Sequence, residues 1–110
     1  MTKKMPLVIT RVAWHTKRPG NPDPPERYYL QYWILADFLQ RNRLTERPLA
    51  GALADIDDEF EIRSSDLTDE GFEFMRTGYQ KWLRMLDRGG DPSDTRILDK
   101  ELAHMRGALE

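Results

Sequence analysis

The chain has 110 residues, of which 39% are hydrophobic and 33% charged, with three Trp, four Tyr and four Phe; that is one domain with an aromatic core of its own, and the mixture excludes an intrinsically disordered chain. The absence of cysteine excludes disulfides and thiolate metal sites and fits a reducing compartment. A formal net charge of −2 excludes any function resting on total charge, so electrostatics here depends on distribution.

At the N-terminus, Lys3 and Lys4 precede only three apolar residues, Leu7-Val8-Ile9, before Thr10 and Arg11 interrupt, so no signal-peptide core is expected. The longest apolar run, Trp33 to Ala36, is far short of a bilayer span, and the cytoplasm is the expected address. Residues 7–14 (LVITRVAW) are β-branched and aromatic and read as a strand. Residues 17–26 (KRPGNPDPPE) hold four prolines and a glycine and read as a loop.

The first long helix is predicted from Pro25 or Glu26 to about Asn42, with Tyr28, Leu30, Ile34, Leu35, Phe38 and Leu39 at helical spacing. Tyr29, Tyr32 and Trp33 widen its apolar surface, placing it centrally. Residues 44–54 are ambiguous: Pro48 is able to open a helical turn that Gly51 weakens. Phe60 and Ile62 alternate with Glu59, Glu61 and Arg63, predicting a short half-exposed strand that pairs with the N-terminal one.

Thr68 is a good N-cap for a second helix ending at Gly89, with Phe72, Met75, Tyr79, Trp82, Leu83 and Leu86 on its apolar face. Gly71 and Gly78 on that side predict close approach of another helix. A third helix is predicted after Gly89-Gly90, with Pro92 early and Ile97, Leu98, Leu102 and Met105 facing inward. The expected architecture is therefore mainly α, a single domain over residues 1–110. Its three long helices lie at about 26–42, 68–88 and 92–106, and its small two-stranded β element at about 7–14 and 59–63.

The dominant chemical feature is an anionic block. Between Asp55 and Glu73 lie Asp55, Asp57, Asp58, Glu59, Glu61, Asp66, Asp69, Glu70 and Glu73, against the single cation Arg63. Such a density opposes compaction by self-repulsion. Helix capping accounts for part of Asp66, Asp69 and Glu70, and strand alternation for Glu61. A solvated face is the bland explanation of the rest; a surface complementary to a basic partner is the sharper one.

Catalysis finds little support. His15 and His104 fall in different elements and read as solvated or locally hydrogen-bonded residues, and no nucleophile elbow or phosphate-cradling glycine loop is present. Asp55-Ile56-Asp57-Asp58-Glu59 resembles the start of a calcium loop. However, Phe60 stands where the loop needs glycine, and Asp66 where it needs glutamate. No catalytic residue, metal or cofactor is expected. Lys3, Lys4, Arg11, Lys17 and Arg18, with Trp14 among them, read alternatively as a basic arm for nucleic acid. Lysines that protect a strand edge explain the same residues more cheaply.

Ser64-Ser65-Asp66-Leu67-Thr68-Asp69-Glu70-Gly71, Tyr79-Gln80-Lys81-Trp82-Leu83, Asp87 to Asp94 (DRGGDPSD) and Leu98-Asp99-Lys100-Glu101-Leu102 together resemble small bacterial immunity proteins of contact-dependent growth inhibition and related polymorphic toxin systems. The resemblance covers roughly residues 55 to 107. It implies a cytoplasmic, non-enzymatic protein that binds the toxic C-terminal domain of a cognate effector, often a nuclease with a basic cleft. The expected partner-binding residues, chosen on charge, are Asp55, Asp57, Asp58, Glu59, Glu61, Arg63, Asp66, Asp69 and Glu70. Tyr79 and Trp82 are candidate aromatic anchors, Trp82 doubling as a core residue. The competing reading is a nucleic-acid-associated or antitoxin-like regulator using the basic N-terminal segment. Oligomeric state is left open.

Overall fold

A computed structural model describes residues 7–107. The N-terminal lysines Lys3 and Lys4 and the last three residues lie outside the described residues. The chain runs β1 (Val8–Arg11), α1 (Ala13–Thr16), α2 (Pro25–Arg41), β2 (Glu61–Arg63), α3 (Asp69–Asp87) and α4 (Arg96–Gly107), with 3-10 turns at Leu53–Asp55 and Ser64–Asp66. The mainly helical architecture with one small antiparallel sheet is the expected one.

β1 and β2 pair with Val8 opposite Arg63, Thr10 opposite Ile62 and Arg11 opposite Glu61, and a bulge falls between Val8 and Thr10. The strand predicted over 7–14 stops at Arg11, because β2 offers only three residues to pair with. Beyond it the amides of Val12 and Ala13 donate to the carbonyls of Phe60 (3.0 Å) and Asp58 (3.1 Å), and the chain then turns into α1.

Pro25 stands in the first turn of α2, where its missing N–H and fixed φ cost nothing. This helix buries Tyr28, Gln31, Tyr32, Leu35, Ala36, Phe38 and Leu39 and so is covered on more than one side. Two contiguous clusters result. The larger surrounds Phe38, Phe74, Trp82, Leu98 and Leu102; the smaller holds Val12, Tyr28, Tyr32 and Ile56. The ambiguous 44–54 stretch is mostly extended loop. Gln40 fixes it by accepting from the amides of Leu49 (2.5 Å) and Ala50 (3.1 Å) and donating to the Ala50 carbonyl (2.8 Å).

Thr68 caps α3 as expected, its hydroxyl accepting from the Gly71 amide at 3.0 Å. The inward face of α3 is rotated slightly from the predicted one: Phe74 is fully buried and stacks on Phe38 at 5.3 Å, whereas Phe72 is only partly covered. Tyr79 and Trp82, weighed as interface anchors, are core residues. The predicted start of the last helix at residue 92 is also corrected, to Arg96. Residues 91–94 form a turn held by Asp91, which accepts from the Ser93 amide, and by Trp82, whose indole N–H donates to the Asp94 carbonyl at 2.9 Å.

The two glycines expected to admit close approach do so in different directions. A Cβ on Gly78 would sit 3.0 Å from Cβ of Glu101 on α4, but one on Gly71 would sit 2.1 Å from the Leu44 carbonyl oxygen of the α2–β2 loop. Because Leu44 also accepts from the Thr68 amide (3.0 Å) and hydroxyl (3.2 Å), that loop has no slack to retreat. Gly71→Ala is therefore expected to lower unfolding free energy by about 1–3 kcal/mol. Gly107→Ala, with open space around it, is expected to leave stability within about 0.5 kcal/mol. Urea titration of both variants measures the difference.

Candidate functional site

The structure disperses much of the anionic block into internal pairs. Asp58 accepts from the Tyr29 hydroxyl (2.9 Å) and the Thr16 hydroxyl (3.1 Å) and lies 3.4 Å from the Lys17 ammonium. The Tyr29 hydrogen bond, then those from Thr16 and Lys17, hold its carboxyl below the ordinary range. Glu61 is flanked by Arg63 and Arg11, whose hydrogen bonds depress its pKa, with Arg11 at 2.5 Å. Asp66 is only 4% exposed; it accepts from the Arg63 amide (2.8 Å) and pairs with Arg47. Glu70 meets Arg106 at 2.9 Å, and that guanidinium also donates to the Asn42 carbonyl at 2.7 Å, tying α4 to α3 and to the end of α2. Glu73 pairs with Arg76 at 3.1 Å.

The expectation of one continuous acidic docking face over 55–70 is corrected accordingly. Asp66 is buried, Asp58, Glu61 and Glu70 are already neutralised, and Arg63 is occupied by Glu61. Asp69 is exposed in the first turn of α3. What remains concentrated on the surface is Asp55, Asp57 and Glu59, all exposed and in no ion pair among the described residues. Asp55 and Asp57 also shape their own loop. Asp55 accepts from the amides of Gly51 (2.8 Å) and Ala52 (3.1 Å), and Asp57 from that of Glu59 (2.9 Å). With each carboxylate turned to a separate backbone donor, the calcium-loop likeness does not become a cage. Among the described residues no three acidic or histidine side chains converge as a metal site.

Beside this loop stands α1, whose N-terminal amides bond to it. On α1 Trp14 is 52% exposed, and in the turn leading into the loop Leu53 is 46% exposed. An exposed indole is among the side chains that protein interfaces favour at their centre, and carboxylates without an ion pair among the described residues suit the polar rim. Of the basic arm's described cations, Arg11 goes to Glu61 and Lys17 to Asp58, whereas Arg18 has no ion pair among the described residues.

His15, expected to be solvated or locally hydrogen-bonded, is half-buried against aromatic rings. Its ring stacks on Tyr28 at 5.0 Å and meets the edge of Tyr32 at 5.7 Å, in the wall of a cleft of about 400 Å³ that Arg18, Asp23, Arg27, Gln31 and Asp87 also line. On the far side of Gly89 a second, more open groove of about 530 Å³ runs between α3 and α4, lined by Lys81, Arg84, Met85, Arg88, Gly90 and Ile97. Neither was foreseen. The only signal was the spacing of Lys81, Arg84 and Arg88, which helix-dipole compensation alone would also explain.

No match was returned when the chain was scanned against protein-family models or searched against the curated proteins and the solved structures. Among the described residues no helix is long and apolar enough to cross a membrane.

Burial, reinforced by the Arg18 charge and opposed by Asp87, pushes the His15 imidazole below its ordinary value of 6.5. The folded protein thus binds the His15 proton less tightly than the unfolded chain. Stability from this group is present above 6.5 and is lost as pH falls through that value toward the lower folded one. Thermal melts through this window are expected to show a falling midpoint for the wild type and a smaller fall for His15→Gln.

Proposed function

We propose that the protein acts by binding another protein, as an immunity protein that neutralises a cognate toxin domain. The docking face is centred on Trp14 and the loop carboxylates Asp55, Asp57 and Glu59, with Leu53 alongside. The observation that carries this reading is the 52% exposed indole of Trp14 on a helix bonded to the acidic loop. A tryptophan left in water on a short, well-fixed element is an anchor ready to be desolvated, and carboxylates of the bonded loop that have no ion pair among the described residues attract a basic partner and speed its approach. The resemblance of residues 55 to 107 to immunity proteins supports the kind of partner, a toxin domain with a cationic surface. Asp58, Glu61 and Asp66 then act indirectly, holding the loop and α1 in place while Asp55, Asp57 and Glu59, in no ion pair among the described residues, make the contact.

The test is co-purification with the polypeptide encoded immediately upstream, at low and high salt. Capture of a large effector's C-terminal fragment is expected, and recovery of none overturns the reading. Trp14→Ala is expected to weaken the complex at least about 30-fold, the effect of a hot-spot side chain worth about 2 kcal/mol. Asp57→Lys with Glu59→Lys is expected to slow association, most strongly at low salt. Surface plasmon resonance separates the two effects.

A further inference from the structure

The cations of this molecule are mostly consumed. Arg11, Lys17, Arg41, Arg47, Arg63, Arg76, Lys81, Arg96 and Arg106 each lie in an ion pair. Arg27 spends a nitrogen on the carbonyls of Leu86 (3.0 Å) and Gly90 (2.8 Å), closing the end of α3. Arg43, Lys100, Arg84 and Arg88 meet no carboxylate at ion-pair distance among the described residues, and of these Arg84 and Arg88 alone are brought together, both exposed and both lining the α3–α4 groove. They are four residues apart on one helix face, where like charges repel by about 0.2–0.5 kcal/mol. Complementing the helix dipole accounts for a cation in the last turn. It does not account for Arg18, which comes from a separate element, lines the adjoining cleft across Gly89 and is likewise unpaired among the described residues.

We propose that this end of the molecule is a second binding site, oppositely charged to the Trp14 face, that takes a single strand of nucleic acid by its phosphates. Arg84 and Arg88 are separated by about 6 Å along the helix axis, near the step between successive phosphates of an extended strand. Their guanidinium forks match phosphate oxygens in a two-point fashion that lysines do not. Lys81, held by Glu101 at 2.7 Å, extends the same row. Met85 and Ile97 give the groove an apolar floor for sugar or base edges. Gly89, with φ +89° and no neighbour where a Cβ would stand, leaves the helix end open to a passing strand, while Gly90 is packed against Met85 and holds the turn close to α3. Beyond it the strand reaches Arg18 and the stacked His15 and Tyr28 rings. The acids near the path are Glu101, paired with Lys81, together with Asp87 and Asp23; Asp23 is engaged by the Tyr28 hydroxyl at 3.2 Å.

Fluorescence anisotropy of a labelled short oligothymidylate at ~50 mM salt tests this, because phosphate contacts are strongest there. Saturable binding is expected. Arg84→Gln with Arg88→Gln should weaken it about tenfold or more, and should flatten the slope of log K against log salt by about 1.4, at about 0.7 per lost contact. Circular dichroism confirms that the variant is folded. Arg43→Gln, at the other end of α3, and Trp14→Ala should leave binding unchanged; the latter keeps this outcome separate from that of the toxin experiment. No binding, an unchanged slope in the double variant, or equal weakening by Arg43→Gln overturns the proposal. Displacement of the strand by oligoglutamate of matched charge at the same concentration also overturns it, assigning the groove to acidic protein segments.

Discussion

The antiparallel pairing of Val8–Arg11 with Glu61–Arg63 is short, yet most of what surrounds the candidate site depends on it. Once Arg11 lies opposite Glu61, the next amides along the chain are brought to the carbonyls of Phe60 and Asp58, and α1 begins where that ladder ends. The same placement sets the Thr16 hydroxyl and the Lys17 ammonium on Asp58, turns Trp14 outward and seats His15 against Tyr28 and Tyr32. Three residues of sheet would be marginal alone. They hold because Ile62 is fully buried in the main cluster and the Thr10 hydroxyl is bonded to Tyr32 inside the fold.

Charge in this molecule is managed by position. Five carboxylates of the acidic segment (Asp58, Glu61, Asp66, Glu70 and Glu73) are matched by cations drawn from β1, the residues after α1, the α2–β2 loop, β2, α3 and α4. Many of these pairs are exposed and contribute little individually to stability. Their larger consequence is geometric: Arg106 joins three helices at one corner, and Asp66 fixes the entry to α3. Self-repulsion across the segment is thereby relieved, and the remnant in the loop beside α1 has no ion pair among the described residues.

The result is a body with two regions of different chemistry. One is a bonded acidic loop with an exposed indole; the other is the end of α3, where arginines border a groove and a cleft separated by Gly89. The second region is built by packing. Arg27 and the Gly89-Gly90 backbone satisfy the last carbonyls of α3, and Trp82 anchors the following turn, so the groove has firm walls. Segregating opposite charges in this way lets a protein of small net charge present strong local fields.

The periodicity of apolar residues, the Thr68 cap and the proline-rich loop determined the existence and approximate bounds of the long helices, because these are local consequences of backbone geometry and burial. Alternation around Phe60 and Ile62 likewise indicated the second strand, while its pairing with β1 is decided by the tertiary structure. Local pattern was silent on where a strand would run out of partner, so the change at Arg11 into α1 and the start of α4 at Arg96 had to come from contacts with distant segments. Composition marked the acidic block but not its fate, since Arg47 and Arg106 reach Asp66 and Glu70 only after the chain has folded back on itself. Which carboxylates face water, which tryptophan is exposed and which is core, and which arginines have no ion pair among the described residues are tertiary facts. Each depends on through-space distance, which residue order alone does not encode.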